Sequence, residues 1–161
     1  MNTPVDSYRE TLAEASRQAS PVVIRGGGSK SFYGRPVQGR TLDVSAHTGI
    51  IDYTPSELVI SARAGTPLSE LESTLAAENQ MLPFEPPHFG QAATLGGTIA
   101  CGLSGPRRPW TGAARDFVLG ITCLNASGEL LRFGGKVMKN VAGYDLSRAL
   151  TGSLGTLALL L

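Results

Sequence analysis

The chain has 161 residues, of which 42% are hydrophobic and 17% are charged, and its formal net charge is +1. This length and composition predict one globular domain with a proper core. The near-neutral charge gives no reason to expect nucleic acid or an anionic membrane as a partner. Twenty glycines and ten prolines indicate a loop-rich α+β or α/β protein.

The first predicted elements are a helix and a short strand. Residues 7–19 have helical character, with Ser7 as the N-cap and Glu10 three residues later. Pro21 ends this helix. The β-branched residues 22–24 then predict a short buried strand.

Three consecutive glycines follow this strand. Glycine has no Cβ, so main-chain N–H groups can approach a ligand closely, and successive N–H groups form a concavity that suits an anion. The neighbouring Arg25 and Lys30 add positive charge at its rim. The loop therefore predicts a diphosphate cradle, and a glycine-rich hairpin or surface loop is the alternative. The predicted cradle comprises Arg25, Gly26, Gly27, Gly28, Ser29, Lys30 and Ser31.

Two common phosphate-binding motifs do not fit this loop. A Walker loop ends in Gly-Lys-Ser/Thr, but Ser29 stands directly before Lys30. A dinucleotide fingerprint requires a third glycine where Ser31 stands. The loop is therefore expected to bind phosphate by a different geometry.

The middle of the chain predicts three more strands and a helix. Residues 41–44 form a strand, and residues 50–54 and 58–64 form a strand pair joined by a turn at 55–57. A helix follows, with Thr66 as its N-cap and Pro67 at its first position, and it runs to about residue 78. Residues 81–90 are rich in proline and are predicted to be a loop.

Small residues dominate a second stretch, residues 93–105. Small side chains let a backbone approach another backbone or a flat ligand closely. The stretch therefore predicts either a tightly packed helix flanked by turns or a second ligand wall opposite the first glycine loop. In the second interpretation, main-chain amides of both glycine clusters close around one diphosphate.

The last third of the chain predicts a hairpin, a loop, a short helix and a final strand. The hairpin strands cover 118–124 and 129–133. A loop covers 134–140, a helix covers 145–150, and residues 157–161 form the strand. Because domains seldom end inside a hydrophobic strand, the sequence is expected to be the first part of a longer protein.

Cys101 and Cys123 lie among apolar or small residues and are interpreted as reduced core residues. A disulfide between them is the alternative.

The N-terminus lacks signal-peptide features, and no apolar run approaches the ~20 residues that span a bilayer. A cytoplasmic chain without direct membrane insertion is therefore predicted. No catalytic triad or metal-ligand spacing is present in the sequence.

The two glycine-rich stretches resemble the FAD-binding domain of flavoenzymes of the vanillyl-alcohol oxidase (PCMH) type. Several segments are more specifically similar to the FAD-binding subunit of bacterial glycolate oxidases. They are residues 24–36, 81–90, 101–110, 115–120 and 132–148. The resemblance covers about residues 5–161.

This resemblance implies an α+β fold of two subdomains, about 5–62 and 63–161, with FAD between them and a substrate-cap domain outside this chain. It implies that the ribityl and isoalloxazine side of FAD is lined by Thr94, Gly96, Gly97, Cys101, Gly102, Leu103, Ser104 and Gly105. The terminal strand around Leu159 and Leu160 is expected to pack near the adenine or ribose. Ser29 stands where covalent flavoproteins of this type carry histidine, which implies noncovalent FAD. Leu154 and Ala158 replace an acidic residue and a glycine that are common in relatives.

The activity implied by the resemblance is oxidation of a 2-hydroxy acid such as glycolate, an FAD-dependent reaction at a CH–OH group. The implied partners are a second FAD-binding subunit and an iron–sulfur subunit, through which the chain could associate with a membrane. The isolated 161 residues are expected to bind FAD but not to turn over. A flavin-binding structural or electron-relay subunit and an unrelated nucleotide-binding protein are the alternatives.

Three further residues or segments carry groups that are suited to chemistry or binding. His88 lies in a loop that the resemblance places near the flavin, where a role in proton transfer and a structural role are the two interpretations, since the sequence identifies no partner for it. His47 is interpreted as a surface residue. Residues 107–110 combine two arginines with a tryptophan and are interpreted as a loop that contacts flavin phosphate or a partner subunit. No residue is assigned as catalytic.

Overall fold

The computed structural model describes residues 3–136 and 144–161. Its helices are α1 (Pro4–Arg17), α2 (Leu68–Ala77), α3 (Leu95–Cys101), α4 (Arg108–Thr111) and α5 (Leu146–Leu150), with 3₁₀ turns at Pro55–Glu57 and Ala114–Phe117. Its strands are β1 (Val22–Arg25), β2 (Arg40–Asp43), β3 (Ile50–Thr54), β4 (Val59–Ala62), β5 (Gly120–Leu124), β6 (Leu130–Gly134) and β7 (Leu159–Leu160).

The glycine loop is fixed by a parallel pair of strands. β1 pairs with β2 in parallel, with Val22 opposite Arg40 and Arg25 opposite Asp43. The ladder is continued by the amide of Val44, which donates to the carbonyl of Arg25 at 2.9 Å. Because parallel strands end at the same edge of a sheet, the glycine loop and the segment after β2 leave from one edge.

The other strands form two antiparallel sheets. β3 pairs with β4 around the 3₁₀ turn, as predicted. β5 lies between β6 and β7. The predicted β5–β6 hairpin is confirmed, and the Asn125 side chain holds its turn by accepting from the amides of Ser127 and Glu129 at 3.0 and 2.9 Å. β7 covers only two residues of the predicted strand 157–161.

The main hydrophobic cluster joins the first helix to the last strand. It consists of Tyr8, Leu12, Leu42, Val44, Leu124 and Leu159, which come from α1, the β2 edge, β5 and β7. Burying this apolar area is the main favourable term that holds these elements together. The cluster draws residues from both sides of the predicted boundary near residue 62, and the division into subdomains stays a prediction.

The first helix begins earlier than expected. Thr3, not Ser7, is its N-cap: the Thr3 hydroxyl accepts from the Asp6 amide at 3.3 Å, and the Asp6 carboxylate accepts from the Thr3 amide at 2.9 Å. Pro4 occupies the first helical position, where its missing N–H costs nothing. The Asp6 pKa is lowered because its carboxylate accepts the Thr3 hydrogen bonds.

The predicted N-cap of the second helix is also wrong. Thr66 is fully buried, and its hydroxyl bonds to the amide and carbonyl of Gly49 at 3.0 and 3.3 Å. α2 begins at Leu68 without a side-chain cap. A buried hydroxyl needs a partner, and the loop before β3 supplies one. The predicted end near residue 78 is confirmed, with Glu78 as the C-cap.

Three smaller expectations have definite outcomes. The 107–110 segment is not a loop but enters the one-turn helix α4, where Trp110 is 84% exposed. The short helix 145–150 is confirmed, and the Asp145 carboxylate caps it by accepting from the Arg148 amide at 3.1 Å. The predicted loop 134–140 lies largely outside the described residues.

Cys101 and Cys123 are free thiols, as interpreted from the sequence. Burial raises the pKa of both. Within the described parts of the chain, the helices are too short or too polar to cross a membrane.

Candidate functional site

The two glycine-rich stretches form two walls of one cleft. Gly26 from the first stretch and Gly96 and Gly97 from the second both line it. The β2 edge contributes Val44, and the segment before α2 contributes Ala64. The complete lining is Ile24, Gly26, Val44, Ala64, Thr94, Gly96, Gly97, Ala100, Leu154, Gly155, Ala158, Leu159 and Leu160.

The two walls approach closely at Gly26 and Thr94. A Cβ placed on Gly26 would lie 2.8 Å from the Thr94 hydroxyl oxygen, which is closer than real Cβ contacts. Thr94 is the N-cap of α3, and its hydroxyl accepts from the Gly97 amide at 3.2 Å. Any side chain at position 26 would therefore occupy the cleft at the start of α3.

The first glycine loop presents unused hydrogen-bond donors. Among the described residues, the main-chain amides of 26–30 have no hydrogen-bond acceptor, whereas the next amide, that of Ser31, donates to the Gly28 carbonyl at 3.2 Å. Successive amides without a partner form an anion-binding concavity. Gly28 has a φ of +71°, which glycine adopts without strain. This geometry fits the predicted diphosphate cradle.

The second glycine cluster differs in its hydrogen bonding. Its first amides are all engaged: Leu95 donates to the Thr66 carbonyl at 2.9 Å, Gly96 to the Ala64 carbonyl at 2.7 Å, and Gly97 to Thr94. The expectation that amides of both clusters close around one diphosphate is therefore wrong for the start of α3. The glycines there form a wall without side chains, and their amides do not offer hydrogen bonds to a ligand.

At two positions glycine is required by the packing of the chain itself, independently of any ligand. A Cβ on Gly27 would lie 1.4 Å from the Ala92 carbonyl oxygen, and one on Gly96 would lie 2.6 Å from the Ala64 Cβ. Gly27 thus lets the first loop lie directly on the segment before α3. The close approach at Gly96 packs α3 against the segment before α2.

The segment after α3 does not line the cleft. Gly102 ends α3 with a φ of +63°, and a Cβ there would lie 2.9 Å from the Gly152 Cα. A Cβ on Gly105 would lie 2.4 Å from the Glu85 carbonyl oxygen. The Ser104 hydroxyl accepts from the Ala114 amide at 2.9 Å. These residues pack the surrounding loops, and a direct role in ligand binding for them and for Leu103 stays a prediction.

The two cations of the glycine loop face different surroundings. Arg25 is exposed, and its guanidinium lies over Gly28, as a rim position requires. Lys30 is only 7% exposed, so its expected place at the rim is wrong. Its ammonium donates to the His88 carbonyl at 3.4 Å and lies near the Cys101 thiol. Burial lowers the Lys30 pKa.

His88 has a partner that the sequence did not reveal. Its Nε2 lies 3.0 and 2.9 Å from the two carboxylate oxygens of Glu72 on α2, which ties the proline-rich loop to that helix. His47 is half-buried and is not a simple surface residue: its ring meets Tyr8 edge-on at 6.3 Å. Burial and the nearby Arg63 lower the His47 pKa.

The sequence interpretation placed only part of the third wall of the cleft, at the terminal-strand residues Leu159 and Leu160. Leu154, Gly155 and Ala158 line the cleft beside them. Gly155, whose φ is +74°, is the one signal in this stretch that could have indicated a special backbone. The apolar positions Ile24, Val44, Ala64 and Ala100 were also missed, because nothing in their sequence context separates a cleft wall from the core.

A family model described as "FAD binding domain" matches residues 3–134. Glycolate oxidase subunit GlcE of Escherichia coli strain K12 is 58% identical over 157 residues, which cover 95% of this chain and 45% of that protein. Glycolate oxidase subunit GlcD of Bacillus subtilis strain 168 is 32% identical over 157 residues, which cover 96% of this chain and 33% of that protein. The chain therefore spans less than half the length of these relatives.

A solved structure of alkyldihydroxyacetonephosphate synthase has a similar fold. It superposes with a TM-score of 0.72 and 21% identity over 94% of this chain and 28% of that chain. This likeness and the family match confirm the predicted α+β, PCMH-type fold class. The expected cofactor, FAD, is confirmed by the family match. The chain belongs to the FAD binding domain family.

Proposed function

We propose that this chain is the FAD-binding part of a flavin-dependent 2-hydroxy acid oxidoreductase, with glycolate as the substrate. The proposal rests on one structural observation, the row of unpartnered amides at 26–30 on the edge of a cleft walled by small residues. The similarity to glycolate oxidase subunits supports the choice of substrate.

The residues of the cleft fit the parts of FAD. Amides 26–30 would hold the diphosphate, since unpaired N–H groups bind anions. Arg25, exposed at Gly28, adds charge there. Thr94, Gly96 and Gly97 form a wall that a flat or extended group can approach closely. Leu160 and its neighbours Ala158 and Leu159 close the apolar side, where the adenosine is expected.

Bound FAD would supply the hydride acceptor for oxidation of the carbon that carries the substrate hydroxyl. The protein's task in this part of the chain is to bind and orient the cofactor and to exclude water from it. Among the described residues of the cleft lining, no histidine, carboxylate or lysine is present that could act as a substrate base. The substrate base is accordingly proposed to lie outside this cleft.

The chain is also proposed to work in a multi-subunit complex, because two of its relatives are named as subunits of glycolate oxidase. A second FAD-binding subunit and an iron–sulfur subunit are the proposed partners for onward electron transfer. The exposed Trp110 on α4, beside Arg108, is a suitable contact for one of them. Any membrane association would then run through these partners.

The purified full-length protein tests this proposal in two steps. Its visible spectrum should show bound flavin that is released on denaturation, because the attachment is noncovalent. Glycolate added without oxygen should then bleach the flavin. A colourless protein that binds only ATP would indicate an unrelated nucleotide-binding protein. A yellow protein that glycolate never bleaches would indicate an electron-relay subunit.

A further inference from the structure

Three contacts join the glycine loop to one short segment at the end of the proline-rich loop, residues 88–92. The contacts pair Gly27 with Ala92, Lys30 with His88, and Phe32 with Phe89. At the first pair, a Cβ on the glycine would lie 1.4 Å from the alanine carbonyl oxygen, so the two backbones touch. At the second, the ammonium donates to the main-chain carbonyl at 3.4 Å, and at the third the ring centroids are 4.9 Å apart. Residues 88–92 therefore support the glycine loop along its whole length.

This support segment, residues 88–92, is itself tied to α2. His88 Nε2 lies 3.0 and 2.9 Å from the two carboxylate oxygens of Glu72. A carboxylate can only accept, so the imidazole donates this hydrogen bond. His88 thus makes two connections, since its carbonyl accepts from Lys30 while its ring holds the helix. A continuous series of contacts runs from α2 to the glycine loop.

The support segment has a backbone conformation that its sequence does not favour. Phe89 has a φ of +53°, in the left-handed region, which costs free energy in a residue with a bulky side chain. Its side chain is 52% exposed, so burial alone does not explain this conformation. Such a conformation persists only where the surrounding contacts fix it. The packing of Phe89 on Phe32 and the bond between His88 and Glu72 are contacts of this kind.

The glycine loop requires support from outside because it has few hydrogen bonds of its own. Among the described residues, the amides of 26–30 have no acceptor, while those of Ser31 and Tyr33 donate to the carbonyls of Gly28 and Lys30 at 3.2 and 2.9 Å. Glycine loses more conformational freedom on ordering than any other residue. A loop that also samples other shapes binds its ligand more weakly, in proportion to the fraction of molecules in the competent shape. Holding the loop in place before the ligand arrives therefore raises the affinity.

We propose that His88 and Glu72 are positioning residues for FAD. Their hydrogen bond fixes the support segment, which holds the glycine loop in the shape that binds the diphosphate. This inference depends on the proposed function, since it takes the diphosphate to lie on amides 26–30. It gives the His88 ring a role in binding and no part in proton transfer.

The affinities of the FAD-stripped full-length protein for FAD and for ADP test this role, because ADP carries a diphosphate without the flavin. His88→Ala keeps the carbonyl that accepts from Lys30 and removes only the bond to α2. We expect this variant and Glu72→Ala to bind both ligands about fivefold more weakly, as for the loss of a surface ion pair. The double variant should be no weaker than either single one, since the two residues act as a unit.

Two matched variants serve as controls. His88→Gln should restore most of the affinity, because its side-chain amide can donate to Glu72. Glu70→Ala removes a carboxylate of α2 whose oxygens have no partner among the described residues, and it should bind FAD and ADP like the wild type. The side chains of His88 and Glu72 are 35% and 38% exposed, so the fold should tolerate these changes.

The other outcomes are distinct. Unchanged affinities in both alanine variants, or losses that multiply in the double variant, would show that the inference is wrong. Weaker binding of FAD alone, with ADP unaffected, would place His88 at the flavin end and would also overturn it. If the wild-type protein binds neither FAD nor ADP, it is the proposed function that has failed.

Amide hydrogen exchange without any ligand tests the support segment directly. We expect the amides of Ser31 and Tyr33 to exchange about fivefold faster in His88→Ala than in the wild type, because the loop opens more often. The amides of the β5–β6 hairpin should exchange at the same rate in both proteins. Equal rates at Ser31 and Tyr33, or faster exchange in the hairpin as well, would contradict a local positioning role.

Discussion

Gly26 and Thr94 face each other across the cleft so closely that a Cβ on Gly26 would come within 2.8 Å of the Thr94 hydroxyl oxygen. One residue belongs to the loop after β1, and the other caps α3. This close approach brings the two glycine-rich stretches together where both line the cleft.

Gly26→Val should weaken FAD binding while the protein stays folded. The new side chain would enter the cleft, and overpacking of ~1–3 kcal/mol corresponds to roughly 5- to 150-fold weaker binding. Titration of the FAD-stripped protein with FAD measures the change. Gly135→Val is the control, because a Cβ there meets nothing within 4 Å and its φ is ordinary. Equal FAD affinity in both variants would argue against the cleft.

Gly27→Ala should lower the free energy of unfolding even in the absence of FAD, because this glycine is required by the packing of the chain itself. Its Cβ would lie 1.4 Å from the Ala92 carbonyl oxygen, so the loop must move off the segment before α3. A loss of about 1–3 kcal/mol in the free energy of unfolding is expected. Urea unfolding of the FAD-stripped protein measures this, with Gly135→Ala as the tolerated control. An unchanged midpoint would mean that the loop does not pack there.

Thr94→Ala should destabilise α3 by removing its N-cap. The Thr94 hydroxyl accepts from the Gly97 amide, and losing such a cap costs about 0.5–2 kcal/mol. Thr94→Ser retains the hydroxyl and should keep most of the stability. If urea unfolding finds the alanine and serine variants equally stable, the cap contributes nothing.

Stability should rise with pH near neutrality in a way that depends on His47. Burial and Arg63 lower the folded-state pKa of His47 below its ordinary value of 6.5. At pH values between the folded and unfolded pKa of His47, the unfolded state binds more protons than the folded state. The contribution of His47 to the free energy of unfolding is therefore complete above pH 6.5 and is lost as the pH falls below that value. Urea unfolding at several pH values should show this slope in the wild type and a smaller slope in His47→Gln. An identical slope in both would contradict the assignment.

The sequence predicted most elements of this fold because local signals and tertiary packing agree there. The β-branched run before Arg25, the turn residues at Pro55–Glu57 and the cap at Asp145 each carry their own structural signal. The N-caps were less predictable. Ser7 and Thr66 are both acceptable caps locally, but Thr3 gains a reciprocal bond with Asp6, and Thr66 is committed to Gly49.

The candidate site was predictable where glycine was the signal and, through the family resemblance, at Thr94, Leu159 and Leu160. Gly26, Gly96 and Gly97 line the cleft as the pattern indicated, whereas Leu154 and Ala158 look like ordinary apolar residues in the sequence. The direction of the Lys30 side chain depends on distant partners, the His88 carbonyl and Cys101, so no local pattern could have revealed it.

Amide hydrogen exchange with and without FAD tests the central claim most directly. The account predicts strong FAD-dependent protection at residues 26–30, whose amides have no acceptor among the described residues, and little change at Leu95, Gly96 and Gly97, whose amides are already bonded. Exchange at 26–30 that is as fast with FAD as without it would contradict the account.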